Sequence, residues 1–381
     1  MKIIFVIGSL SSKGGAEHAL INLVAEIKSR GHEPQIIYLW EPNDFTISLN
    51  DMDIKIHSLC LRSRWSLFAG FFRLLKIIKH EKPDILNAIN FFPMLYCSIT
   101  KPFSSKISRV VSYHNMGYES YPALTFVKRA RKALDIILNK FIDGHTAVST
   151  AVADSYQKHL GLKEIRTISN IIPVKKILSS LQKLDSIPSL QEQKMTQYTI
   201  IMAGRLVPEK GYNFMIPAMS LLIEKGMCVK LEIYGEGPLS SEINSSIQKF
   251  NLSNYISINP TVDHKTLFNN IFHSDLFVLS SISEGLPMAA AEAMVIGTPV
   301  IATKVGGLPE MIEDQVSGIL VAPRDFTALA NAIENVLCNQ SLHRKLSAGG
   351  ILRIQEKYGS DKVCMDLINF FKEVIQVREQ N

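Results

Sequence analysis

The sequence predicts an α/β protein of two Rossmann-like, doubly wound domains with parallel sheets. Three observations carry that prediction. Short continuous apolar runs alternate with longer periodic stretches along the chain, the runs fall into two series, and a polar segment separates the series. Apolar strands alternating with helices are what a parallel sheet covered on both faces requires. Two such series make two doubly wound domains. A length of 381 residues suffices for two separate cores.

In the first half, KIIFVIG (2–8), EPQIIYLW (33–40), PDILNAI (83–89), SRVVSYH (108–114) and GHTAVS (144–149) read as strands. In the second, YTIIMAG (198–204), VKLEIYG (229–235), YISINP (255–260), DLFVLS (275–280), TPVIAT (298–303) and GILVA (318–322) do. The break falls between Pro173 and Gln197, a polar stretch with room for one short helix. The expected domains are therefore 1–172 and 197–359. The tail KVCMDLINFFKEVIQVREQ is amphipathic and can pack on either. No internal repeat or low-complexity segment is visible.

Composition narrows the class. Hydrophobic residues at 46% and charged ones at 20% describe a globular chain. Five scattered cysteines without a CxxC pair favour a reducing, cytoplasmic setting and speak against a disulfide framework or a cysteine zinc site. The opening MKIIFVIGSL is short, leads to no cleavage site, and reads as a buried first strand. No apolar stretch reaches the ~18 residues that span a bilayer. The net charge of +6 is uneven: residues 1–170 hold about 22 Lys and Arg against 14 Asp and Glu, and the remainder about 19 against 21. The first half is thus expected to meet something acidic.

Open α/β sheets bind ligands beyond the carboxyl ends of their strands. After the first strand, Gly14 and Gly15 precede a helix starting near Ala16, a turn that can present N–H groups to an anion. It is neither GxGxxG nor a Walker A sequence, and a plain tight turn explains it equally. His114 ends its strand, where it can act as acid, base or hydrogen-bond partner, or simply serve the structure. AGRLVPEKG places Arg205 and Lys210 beside a helix start near Gly211, a strong anion site. Gly235, in YGEGP, marks a close backbone approach.

SEGLPMAAAEAM (283–294) is the most informative stretch. Pro287 suits a first helical turn, with Glu284 before the helix and Glu292 inside it. A helix dipole accounts for Glu284 but not for Glu292, deep in an apolar helix. Two acceptor carboxylates flanking free helix N–H groups suit a ligand bearing both phosphate and hydroxyls, as nucleotide sugars do. Gly306–Gly307, after the next strand, repeat the strand–glycine–helix order.

Together GGAEHAL, SYHN, AVSTAVADSY, AGRLVPEKG, YGEGP and SEGLPMAAAEAMVIGTPVIATKVGGLPEMI resemble the retaining GT-B glycosyltransferases of glycosyltransferase family 4, over most of the chain. The resemblance implies two Rossmann-like domains facing across a cleft. The C-terminal domain would hold a UDP- or GDP-linked sugar. The N-terminal domain would hold a glycan or lipid-linked acceptor, and the last helix, about 360–381, would return to it. Arg205 and Lys210 would hold the donor diphosphate, Glu292 the ribose, and Glu284 the transferred sugar. Backbone N–H groups of Leu286 and Met288, on either side of Pro287, and of the Gly14–Gly15 turn would meet phosphate or sugar, Gly235 would line the donor site, and His114 would touch the sugar near the reacting carbon. The family needs no metal and no cofactor, and no DxD-type pair is placed for one. Three departures stand out: NIIP (170–173) for NGVD, Pro260 for Gly, and Asn115 after His114. A surface-polysaccharide, lipopolysaccharide or glycoconjugate transferase is expected. A GT-B epimerase, a phosphorylase with pyridoxal phosphate, and a non-catalytic sugar-nucleotide binder are the alternatives.

The basic first half adds a possible membrane partner. LRSRWSLFAGFFRLLKIIKHEKPD reads as a helix with Arg62, Ser66, Ala69, Arg73, Lys76 and His80 on one stripe, and Trp65, Phe68, Phe71, Phe72 and Leu75 to the other side. FVKRARKAL adds Lys128, Arg129, Arg131 and Lys132. Such surfaces lie on anionic lipid, or they are core-packed helices with a solvated face. No nucleic-acid module is visible.

Overall fold

The computed structural model describes residues 1–12, 14–61, 66–118, 126–182 and 197–380. They form two compact units, 1–171 with 360–381, and 172–359.

The first unit holds a seven-stranded sheet: β1 (Lys2–Ile7), β2 (Glu33–Tyr38), β3 (Lys55–Ser58), β4 (Ile85–Ile89), β5 (Ser108–Tyr113), β6 (Gly144–Ala147) and β7 (Arg166–Thr167), ordered β3-β2-β1-β4-β5-β6-β7. The second holds six: β8 (Tyr198–Ala203), β9 (Val229–Tyr234), β10 (Ile256–Asn259), β11 (Leu276–Leu279), β12 (Val300–Thr303) and β13 (Ile319–Val321), ordered β10-β9-β8-β11-β12-β13. Every named strand pair is parallel. The order reverses beside β1 and beside β8, the switch points where such sheets take ligands.

All eleven strands read from the sequence are present. β3 and β7 were not read. Both are edge strands, and β7 is two exposed residues, so neither carries an apolar run. Helix ends follow local chemistry. Ser149, Asp263, Asp325 and Asn339 each cap a helix start by accepting an N–H.

The last helix, Ser360–Gln380, lies in the first unit. Val363, Leu367, Phe370, Phe371 and Val374 are buried, and Phe371 meets the Phe5 ring of β1 at 6.4 Å. Ion pairs Arg30–Asp361 (2.5 Å) and Arg166–Glu373 (2.9 Å) flank it. The helix Val174–Gln182 packs in the second unit, against the helices His264–Phe272 and Met288–Ile296.

On the helix Leu67–Glu81, Phe68 and Phe72 stand in solvent together with Ala69, Arg73 and Lys76. The buried line is Gly70, Leu74, Leu75 and Ile78. Gly70 decides the orientation: a Cβ there would lie 2.1 Å from the Tyr96 ring, so this face seats against the helix Phe91–Ile99. At helical spacing Arg73, Lys76, Lys79 and His80 fall together on the exposed side, and Phe68 and Phe72 sit at its margin. Arg62, Trp65 and the Lys128 side chain lie outside what is described. Among the described residues no helix is long and apolar enough to cross a membrane.

Candidate functional site

In the second unit, three loops at the carboxyl ends of neighbouring strands meet. They follow β8 (204–211), β11 (280–287) and β12 (304–307). Ser280 Oγ donates to the carbonyls of Lys210 (3.2 Å) and Gly211 (2.9 Å), and Ile282 N–H donates to Glu209 O (2.8 Å). Thr303 Oγ1 donates to Ser281 O (2.5 Å) and Gly307 N–H to Gly285 O (3.0 Å). Gly306 sits at φ +53°, and a Cβ there would lie 1.8 Å from Glu284 O, so no other residue lets these loops close.

This arrangement brings Lys210 and Glu284 into contact, a pairing that nothing in their 74-residue separation suggests. Lys210 Nζ lies 2.7 Å from Glu284 Oε1, which also accepts from Ser281 Oγ at 2.6 Å. The carboxylate is buried and the ammonium mostly so. A charge pair this dry is held in one geometry, and its ammonium keeps further donors for a second anion. The Arg205 side chain extends from the same loop into solvent, with no hydrogen-bond or ion-pair partner among the described residues.

The helix Met288–Ile296 starts beside them. Pro287 is its N-cap, one position earlier than the sequence suggests, and no side chain caps the start. Its first N–H groups therefore present a positive helix end next to Arg205 and Lys210. The alanines are small because the helix is enclosed: Ala290 and Ala291 are fully buried, and the helices Gln340–Tyr358 and His264–Phe272 pack on it. Gly235 has a similar structural reason, since a Cβ there would fall 2.0 Å from Gly204 O. That close approach is between two backbones of the unit itself.

Glu292 is buried on this helix, and burial pushes its carboxyl up to about 7. Its nearest basic group is His264 Nδ1, at 3.8 Å. Near neutrality it can donate as well as accept, which suits a diol. The unfolded chain ionises near 4.5, so folding is favoured below that pH. The contribution is lost as pH rises towards 7, by about 3 kcal/mol in all. Glu292→Gln should therefore unfold with a flatter pH dependence between about 4.5 and 7. Chemical denaturation across that range measures it, and parallel pH curves for the two proteins would contradict the assignment.

Gly14, Gly15 and His114 lie in the first unit. The helix Gly15–Ser29 has Gly14 as N-cap and no side-chain cap. A Cβ at Gly14 would fall 1.9 Å from Glu17 Oε2, so the chain's own carboxylate already covers this helix start. His114 follows β5, and its N–H donates to Asn90 Oδ1 at 2.9 Å. Burial lowers its imidazole to about 4, so it is neutral at pH 7. It lines a cavity of about 40 Å³ with Asn87, Ser112, Thr146 and Asn170, and its buried Nδ1 has no partner.

Sequence reasoning missed Ser280, Ser281 and Thr303, whose hydroxyls tie the loops together. Small hydroxyl residues at strand ends carry no distinguishing signal. Among the described residues no three His, Cys, Asp or Glu side chains gather as metal ligands would.

Residues 13–176 match the family described as Glycosyltransferase Family 4, and residues 186–353 match Glycosyl transferases group 1. Capsular polysaccharide biosynthesis glycosyltransferase CapM of Staphylococcus aureus is 27% identical over 184 residues, 48% of this chain and 48% of that protein. The chain thus spans about half the length of that relative. An uncharacterized glycosyltransferase of Haemophilus influenzae is 22% identical over 368 residues, 95% of this chain and 97% of that one. The crystal structure of HepE of Anabaena with UDP and glucose aligns with a TM-score of 0.80 and 19% identity, over 98% of this chain and 100% of that one. This likeness shows a shared GT-B fold.

Proposed function

We propose that this chain, built of a family 4-like and a group 1-like glycosyltransferase domain, transfers a sugar from a nucleotide-sugar donor to a glycan or lipid-linked acceptor. The observation that carries the reading is the Lys210–Glu284 pair at 2.7 Å beside an uncapped helix start, at the switch point of the second sheet. Donor cleavage breaks the bond from the sugar's anomeric carbon to a diphosphate oxygen, and negative charge grows on the leaving diphosphate. Arg205, Lys210 and the N–H groups of Leu286 and Met288 would lie where that charge develops. Glu284 would take the transferred sugar's hydroxyls and hold Lys210 in place, and Glu292 would take the ribose. On the first unit, the resemblance assigns His114 to the sugar and Gly14–Gly15 to phosphate. Retention of configuration, and a reaction without metal or cofactor, belong to the proposal. HepE was solved with UDP and the S. aureus relative is named for capsular polysaccharide, which supports a uridine nucleotide and a surface glycan as first choices.

A thermal-shift panel of UDP, GDP and their sugars tests the donor. The preferred nucleotide should raise the melting temperature in a concentration-dependent way, equivalent to about 2.7 kcal/mol at a hundredfold excess over Kd. Slow hydrolysis of the same nucleotide sugar should follow. A nucleotide that binds and is never turned over would make the chain a binding protein.

A further inference from the structure

The outward face of the helix Leu67–Glu81 has no use in the chemistry above. Phe68 is 84% exposed, Phe72 65% and Phe103 59%. The Phe71 ring meets Phe72 at 5.1 Å and Phe103 at 5.3 Å, so Phe72 and Phe103 belong to one patch, and Phe68 stands one helical turn before Phe72. Arg73, Lys76, Lys79 and His80 are exposed on the same helix. Its single acid, Glu81, is buried, hydrogen-bonded by Gln35 Nε2 at 2.8 Å and ion-paired with Lys2 at 3.4 Å.

A second helix repeats the pattern. Phe126–Asn139 exposes Arg129, Ile136 and Ile137, and is followed by exposed Lys140 and Phe141. Its single acid, Asp135, is buried under the Tyr118 hydroxyl. Both helices pack on the buried helix Phe91–Ile99. Neither turns a described acidic side chain to solvent.

We propose that this face docks on an anionic membrane leaflet, with the phenylalanine rings entering at headgroup depth and the lysines and arginines meeting lipid phosphates. Large rings at high exposure cost the free protein solvation and gain nothing unless something covers them. The cover is read from the charges. Protein interfaces are depleted of lysine, whereas aromatic tips among lysines and arginines, free of acids, are the make-up of helices that lie on anionic lipid. The proposal deepens the glycosyltransferase reading by naming the surface on which a lipid-linked acceptor would be met. It depends on that reading only for this consequence.

Flotation with vesicles tests it without any turnover. The full chain should bind vesicles containing phosphatidylglycerol at least about tenfold better than phosphatidylcholine alone, and less well as salt is raised. The triple variant Phe68→Ser/Phe72→Ser/Phe103→Ser and the double variant Lys76→Glu/Lys79→Glu should each lose about tenfold or more of that binding. Both should keep the wild-type melting temperature and donor hydrolysis without vesicles, because the residues are exposed and outside the loops around Lys210. Equal binding to both vesicles, or no binding, overturns the proposal. So does a wild-type dimer in sedimentation that the triple variant dissolves, since a second copy would then be the cover. If donor turnover is absent but vesicle binding behaves as stated, the transferase reading fails and the docking face stands.

Discussion

Lys210→Ala should lower donor turnover by about a hundredfold or more, and Glu284→Ala by a comparable factor. Lys210 serves two anions at once. Its ammonium neutralises Glu284 at 2.7 Å in the free protein, and in the proposed reaction its remaining donors face the diphosphate, where charge grows as the sugar departs. Removing it takes away the charge-stabilising donor and strands a buried carboxylate. That loss should also cost about 1–3 kcal/mol of stability, visible as a lower melting temperature. Glu284→Gln separates the two effects. The amide oxygen can still accept from Ser281, so the loop is kept, while the charge that positions Lys210 is gone. We expect this variant to melt close to wild type and still be strongly impaired. The readout is hydrolysis of the nucleotide sugar that the thermal-shift panel selects. Wild-type turnover in both Lys210→Ala and Glu284→Ala would refute the site.

Phe371→Ala should cost about 3–5 kcal/mol, a large share of what one domain possesses. Phe371 is fully buried against Phe5 of β1, an interior strand of the first sheet, although 366 positions separate them in sequence. The space around it cannot collapse easily, because β1 below it is held by β2 and β4 on either side. A stop after Gly359 would remove the whole helix and expose Phe5, Leu20, Val24 and Ile36 of the same core. We expect that truncated chain to be insoluble, and Phe371→Ala to shift one of two unfolding transitions in denaturant, since the two units have separate cores. An unchanged denaturation curve for Phe371→Ala would show that the helix is not part of this core.

These two predictions stand at different distances from the sequence. Arg205, Lys210, Glu284 and Glu292 could be picked out from spacing alone, because charged groups inside strand–glycine–helix segments break the local apolar pattern. Eleven strands were equally readable as short apolar runs, and most of them are interior to their sheets, where both faces are buried. The weak strands β3 and β7 left no such trace. Neither did the serines and threonine that tie the three loops, whose hydroxyls bond to backbone carbonyls that could belong to any residue.

The remaining features concern which neighbour a residue meets. Periodicity made 67–81 a helix, but the tight contact of Gly70 on Tyr96 turned Phe68 and Phe72 outward. Amphipathicity made 360–380 a helix, but the first unit's sheet is where its apolar face is buried. Position beyond the strand ends singled out Glu284 and Lys210 as candidates, but only the closing of the loops after β8 and β11 made them an ion pair. Local backbone preference and the pattern of apolar residues are properties of a short stretch, and they can be read from it. Burial, pairing and the shift of the Glu292 carboxyl to about 7 are properties of an environment, which distant segments supply when the chain folds.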